Sequence, residues 1–241
     1  MLRTSDRIFC ALDTTDTTLA VDLAKKLRGV VGGMKVGLEF YCANGAEGFK
    51  AIAKTGMPIF LDLKFHDIPN TVAGAIRAVA PLAPKILTIH TQGGPDMMRR
   101  AAETAAEEAE KNGVKKPWVT GVTILTSLDD ADMAAIGVGT PVGPQVEQLA
   151  TLAAQNGLDG IVCSPVEIKL ARRATKALNP HFKLVVPGIR PAGTAIGDQK
   201  RVMTPREAVL AGADILVIGR PITKSGDPRA AAESIAESIN G

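Results

Sequence analysis

Aromatic residues are scarce in this chain of 241 residues: six Phe, one Tyr and one Trp make up 3% of it, against 46% hydrophobic residues overall. Its interior must therefore be filled by Val, Ile, Leu, Met and Ala, the aliphatic packing that layered parallel barrels use. Cysteine is scarcer still. Cys10, Cys42 and Cys163 are odd in number, far apart and without metal-ligand spacing, which argues against a disulfide framework or a zinc site and leaves inert packing as their expected role. No apolar run approaches the length of a membrane span. Polar Thr4, Ser5, Asp6 and Arg7 lead straight into a strand-like run, so no signal peptide is expected. A large charge excess is missing as well: 28 basic against 25 acidic residues leave +3, and no basic stripe alternates with aromatics. That balance points away from nucleic acid and membrane partners. A reducing, soluble, cytoplasmic setting is expected, and the slight positive excess suits a small anionic ligand.

What is present is a regular alternation. Short apolar runs at Ile8 to Leu12, Met34 to Val36, Ile59 to Leu63, Ile86 to Ile89, Trp118 to Thr123, Gly160 to Cys163, Leu184 to Val186 and Ile215 to Ile218 read as strands. Helix-like stretches lie between them, at Thr17 to Leu27, Asn70 to Ala80, Pro95 to Asn112, Gln145 to Asn156, Val166 to Leu178, Pro205 to Ala211 and Pro228 to Ile239. Strand-then-helix alternation implies parallel strands with right-handed crossovers. About eight such units in 241 residues predict an α/β fold, a (β/α)8 TIM barrel spanning 1–241 as a single domain. Periodicity alone leaves an open doubly wound sheet as the alternative.

In such a barrel the chemistry stands at the carboxyl ends of the strands. The run Phe60-Leu61-Asp62-Leu63-Lys64-Phe65-His66-Asp67-Ile68-Pro69-Asn70-Thr71 sets three charges at the end of an apolar strand, a costly place for them. Alternation puts Asp62 and Lys64 on one face, with Asp67 in the turn beyond. A bare D-x-K-x-x-D pattern also fits a structural salt bridge at a strand terminus. The other strand ends argue for more: Asp13, Lys35, His90, then Thr123, Thr126 and Ser127, then Pro187-Gly188-Ile189-Arg190, and Gly219-Arg220. Gly-rich ends at strands seven and eight, flanked by Arg190 and Arg220, match a phosphate cradle of approachable backbone N–H groups and guanidinium forks. The connection from Arg190 to Met203, with Gly193, Gly197 and Gln199, is long for a barrel and fits a lid over such a phosphate. His66 is read as a structural residue beneath the loop, and His90 fits packing or a supporting hydrogen bond; Glu39, Tyr41, Trp118 and His181 attract no functional assignment.

Taken together, Asp13, Met34-Lys35-Val36-Gly37, Asp62 to Thr71, Leu125-Thr126-Ser127, Pro187-Gly188-Ile189-Arg190-Pro191, Gly197-Asp198-Gln199 and Ile218-Gly219-Arg220-Pro221 resemble the orotidine 5'-monophosphate decarboxylase family over nearly the whole chain. The resemblance implies a homodimeric barrel that converts orotidine 5'-monophosphate to UMP and carbon dioxide, in de novo pyrimidine synthesis, without metal or organic cofactor. It implies Lys64 as proton donor to C6, Asp62 against the substrate carboxylate, and Lys35 with the partner's Asp67 completing an alternating charge network. It further implies Asp13 and Lys35 on the ribose with Thr71 from the partner, and Thr126 and Ser127 on the pyrimidine. Arg190, Gln199, Gly219 and Arg220 would hold the phosphate, and Pro187 would be a further substrate-binding residue. Two alternatives remain at this point: a metal-dependent sugar-phosphate lyase of the sister group, in which a Glu stands where this chain has Lys35, and a nucleotide-binding barrel without catalysis.

Overall fold

Eight short strands pair in parallel and in chain order, and the last closes on the first. They are β1 (Ile8–Leu12), β2 (Gly33–Val36), β3 (Ile59–Phe65), β4 (Ile86–His90), β5 (Trp118–Val122), β6 (Gly160–Val162), β7 (Lys183–Val186) and β8 (Ile215–Ile218). This computed structural model describes residues 3–191 and 203–240. The closed (β/α)8 barrel decides between the two sheet architectures that alternation left open. Phe9 pairs with Gly33 on one side and with Val217 on the other, which locks the closure register.

Side-chain alternation along each strand separates two cores. Ile8, Cys10 and Leu12 of β1 face the surrounding helices, while Phe9 and Ala11 face the barrel axis. The axial core is small: Phe9, Ala11, Phe60, Ile86, Val185, Ile215 and Val217. Phe9 and Phe60 meet there edge to face, with ring centroids 6.4 Å apart. Two of the chain's few aromatic rings thus fill the barrel's axis. At the amino end, the Lys85 ammonium lies 4.5 Å from the centre of the Trp118 ring and Lys183 lies 5.7 Å from it.

The helices start where local chemistry dictates. Asp16 caps α1 (Thr17–Leu27) by accepting the Thr18 and Leu19 N–H groups at 2.8 and 3.1 Å. Pro69 and Pro95 open α3 (Pro69–Val79) and α4 (Pro95–Lys111) at the position where a missing N–H costs nothing. α6 (Val142–Gln155), α7 (Ile168–Lys176), α8 (Pro205–Ala211) and α10 (Pro228–Asn240) correspond to helices read from periodicity. Three were not: α2 (Leu38–Ala53), α5 (Asp130–Ala135) and α9 (Arg220–Thr223). In α2 the reason is Gly45, whose φ of +58° splits the helix and interrupts its period. α5 and α9 are too short to show one.

Candidate active site

The inward phase of each strand decides which polar groups meet. Along β1 it runs Phe9, Ala11 and then Asp13; along β2 it includes Lys35; along β3, Phe60 and then Asp62; along β4, Ile86, Thr88 and His90. Apolar residues hold the axis, and charge begins one layer above them. Asp13, Lys35, Asp62 and Lys64 consequently form one chain of alternating sign. Lys64 Nζ stands 2.9 Å from Asp62 Oδ2, Lys35 Nζ stands 3.5 Å from the same oxygen, and Lys35 Nζ is 3.9 Å from Asp13 Oδ1.

Asp62 is the buried centre of that chain, at 8% exposure. Burial disfavours its charge, but Lys35, Lys64 and the Thr88 hydroxyl outweigh burial and hold the carboxyl below the usual aspartate range. Its two oxygens divide the work: Oδ1 accepts the Thr88 hydroxyl at 3.0 Å, while Oδ2 faces both ammoniums. Lys64 keeps part of its side chain open to solvent, as a group that must meet a ligand requires, whereas Asp13 is mostly exposed.

Beside this chain lies a cavity of about 480 Å³ lined by Ala11, Asp13, Lys35, Glu39, Pro187, Gly188, Arg190, Val217, Gly219, Arg220, Thr223 and Lys224. Four strand ends expected to converge, those of β1, β2, β7 and β8, therefore do so around one space. Gly188 has a φ of +76°, a conformation that suits glycine, and turns the chain out of β7. A β-carbon at Gly219 would come within 3.3 Å of Asp13 Oδ2, and one at Gly37 within 2.9 Å of Lys35 Nζ. Gly219 lines the cavity, where the missing β-carbon leaves it open to a ligand, and Gly37 leaves room for the Lys35 ammonium. Arg190 is anchored through its backbone N–H to Met203 O at 3.0 Å, which ties together the two sides of the 192–202 stretch. Gln199, expected over a phosphate, lies outside the described residues, as do Gly193, Gly197 and Asp198.

Other expected residues lie apart from that cavity. Asp67 and Thr71 are exposed, and the Asp67 carboxylate accepts its neighbour Ile68's N–H at 2.7 Å. Thr126 is half-buried and Ser127 exposed in the loop after β5, and neither lines the cavity. His66 stacks at 5.3 Å on His90, whose Nδ1 is buried without a hydrogen-bond partner. Burial, His66 and Lys64 together push the His90 pKa down against the opposing pull of Asp62, which favours the neutral ring. Glu39, passed over in the sequence, stands in the cavity wall, and Thr223 and Lys224 join it. Glu39 sits two residues after Gly37 at the start of α2, a helix the periodicity had hidden. The thiols stay outside this chemistry: Cys42 is exposed on α2, burial pushes Cys10 up to about 12, and it raises buried Cys163 as well.

A metal fits this donor set poorly. Among the described residues no group of three or more His, Cys, Asp or Glu side chains is placed to hold one. The Lys35 ammonium stands beside Asp62, where a divalent cation would need another oxygen ligand.

Acid and base side chains raised on strand ends, around a cavity at the carboxyl mouth of a closed barrel, are the mark of the (β/α)8-barrel enzymes. Within that class the chain belongs to the orotidine 5'-phosphate decarboxylase / HUMPS family, whose model matches residues 6–235. It is 52% identical over 228 residues to the orotidine 5'-phosphate decarboxylase of Paramagnetospirillum magneticum, covering 95% of this chain and 96% of that one. The Rhodospirillum rubrum protein of the same name is 51% identical over 239 residues, covering 99% and 96%. A crystal structure of the orotidine 5'-phosphate decarboxylase from Lactobacillus acidophilus superposes with a TM-score of 0.82 at 34% identity, over 97% of this chain and 99% of that one.

Proposed function

We propose that this carboxy-lyase releases carbon dioxide from orotidine 5'-monophosphate to give UMP, the last step of de novo pyrimidine synthesis, with Lys64 protonating C6 and no cofactor taking part. The observation that carries this reading is the Asp13, Lys35, Asp62, Lys64 chain beside an arginine-flanked cavity. Breaking the bond between C6 and the carboxylate sends its electron pair to C6, where no neighbouring carbonyl delocalises it as an enolate. A fixed ammonium answers that charge as it develops. Lys64 Nζ then transfers a proton to C6, carbon dioxide leaves, and the lysine regains its proton from solvent. Asp62 is assigned to the side of the substrate carboxylate, where its negative charge opposes the ground state and holds Lys64 in place.

Asp13 and Lys35 are assigned to the ribose, and Thr126 and Ser127 to the pyrimidine. Arg190, Gln199, Gly219 and Arg220 are assigned to the phosphate, and Pro187 to substrate binding beside them. Phosphate held remotely supplies binding energy that offsets the cost of enclosing the reacting centre. Asp67 and Thr71 are assigned to the neighbouring site of a homodimer. Their exposure supports this, as does Ile68 between them, an apolar side chain 67% exposed in the single chain. We take the chain, 1–241, as one domain working in the cytoplasm. Its three cysteines are free, and no helix among the described residues is long and apolar enough to cross a membrane.

The direct test is to incubate the purified protein with orotidine 5'-monophosphate and excess EDTA and to measure UMP and carbon dioxide. Stoichiometric UMP with full activity under chelation is expected. Loss of activity on chelation, restored by magnesium, would replace this reading with metal-dependent chemistry; binding of UMP without turnover would replace it with a nucleotide-binding role.

A further inference from the structure

Strand β3 does not run evenly against β4. Leu61 pairs with Leu87 and Phe65 with Ile89, so four steps along β3 face only two along β4, and the surplus falls on Asp62, Leu63 and Lys64. Within this bulge Lys64 adopts a φ of +52°; it is one of only two non-glycine residues with positive φ among the described residues. Such a backbone is strained for a residue with a β-carbon and persists only where its surroundings hold it. The bulge also removes the Lys64 N–H from the regular ladder with β4.

One side chain answers both problems. Thr88, fully buried on the inward face of β4, accepts the Lys64 N–H on Oγ1 at 2.9 Å and donates its hydroxyl to Asp62 Oδ1 at 3.0 Å. The single hydroxyl is therefore clamped between the backbone of one charged residue and the carboxylate of the other. It leaves Asp62 Oδ2 free for Lys64 Nζ at 2.9 Å and Lys35 Nζ at 3.5 Å. Threonine suits this double contact, because its γ-oxygen accepts and donates at once and its β-branching limits rotation about χ1.

We infer that Thr88 is a positioning residue for decarboxylation, setting the Lys64 backbone and the Asp62 carboxylate in the relative orientation the chemistry needs. This rests on the roles proposed above for Lys64 and Asp62. Thr88 is not among the residues lining the cavity, and both partners of its hydroxyl belong to groups assigned to the chemistry, so its contribution is expected in kcat.

The test compares Thr88→Val, which swaps the hydroxyl for a methyl at nearly constant volume, with Thr88→Ser, which keeps the hydroxyl. Thr120→Val serves as the control. Thr120 is the register partner of Thr88 on β5, equally buried, and its hydroxyl reaches only Leu87 O at 3.3 Å. Misplacing a reacting group by about 1 Å costs on the order of 100-fold, and a fall of that size in kcat is expected for Thr88→Val. KM and UMP affinity should stay near wild type, Thr88→Ser should restore most of the rate, and Thr120→Val should keep its kcat. Should Thr88→Val fail to fold, Thr88→Ala against Thr88→Ser makes the same comparison. Wild-type kcat in the hydroxyl-free variant, with Lys64→Ala inactive, would overturn the positioning role alone. Parallel loss of kcat and UMP binding would reduce Thr88 to a structural residue. Activity surviving in Lys64→Ala would instead overturn the assignment on which this inference stands, and the inference with it.

Discussion

Replacing Lys64 with alanine removes the ammonium 2.9 Å from Asp62 Oδ2 and leaves the Lys35 ammonium 3.5 Å from the same oxygen. The buried carboxylate therefore keeps one cationic partner and the Thr88 hydroxyl, and the fold should survive. Alanine also keeps a β-carbon, so the backbone cost at φ +52° is little changed. The catalytic loss follows from charge. An ammonium about 4 Å from a developing carbanion contributes roughly 4 kcal/mol at an effective dielectric near 20, which is about a thousandfold in rate. Loss of the positioned proton donor adds a further factor of about 100 or more, so kcat should fall by at least about 10⁵-fold if the two effects multiply. UMP binding, which does not involve the developing charge, should change little. Turnover is measured by single-turnover quench with product separation, and UMP affinity by calorimetry on the same preparation. Retention of even a tenth of wild-type turnover would refute the reasoning, because neither contribution is that small.

Arg220→Ala should weaken orotidine 5'-monophosphate by about 1.5 to 3 kcal/mol, roughly 10- to 100-fold in KM, and leave a substrate lacking the phosphate unaffected; equal losses for both substrates would remove Arg220 from the phosphate. If Asp67 serves the neighbouring site, Lys64→Ala and Asp67→Ala subunits unfolded and refolded together should regain roughly a quarter of wild-type activity, since about half the dimers are hybrid and each hybrid holds one intact site. Hybrids that form without activity would return Asp67 to its own chain. The depressed Asp62 pKa gives the pH dependence of stability its sign: between its folded value and the ordinary value near 3.9 the unfolded chain binds more protons, so acidification destabilises the fold. The contribution is fully present above about pH 4 and is lost as pH falls through the folded pKa, so Asp62→Asn should flatten that part of a urea-denaturation pH series; an unchanged slope would contradict the pairing.

The sequence by itself determined the order of elements and the polar groups at the strand ends. A buried strand of period two, stopped by a charge, shows its inward phase in one dimension: Phe9, Ala11 and Asp13 lie on one side, as do Phe60 and Asp62. Glycines beside Arg190 and Arg220 were legible for the same local reason, because a residue without a β-carbon has few other uses there. Closure was favoured by the count of about eight units, but its register was not legible. It depends on β8 reaching β1 in register, a contact between the two ends of the chain that no local period encodes. Nor was the bulge at Lys64, because a left-handed lysine has no residue signature and the two missing steps belong to the pairing with β4. Thr88 and Glu39 show the same division. One is a hydroxyl among aliphatic residues of a strand and the other an acid opening a hidden helix, and each acquires meaning only from what stands opposite it in space. Asp67 and Thr71 go a step further, since a side chain exposed on one barrel meets its counterpart only if a second barrel packs there.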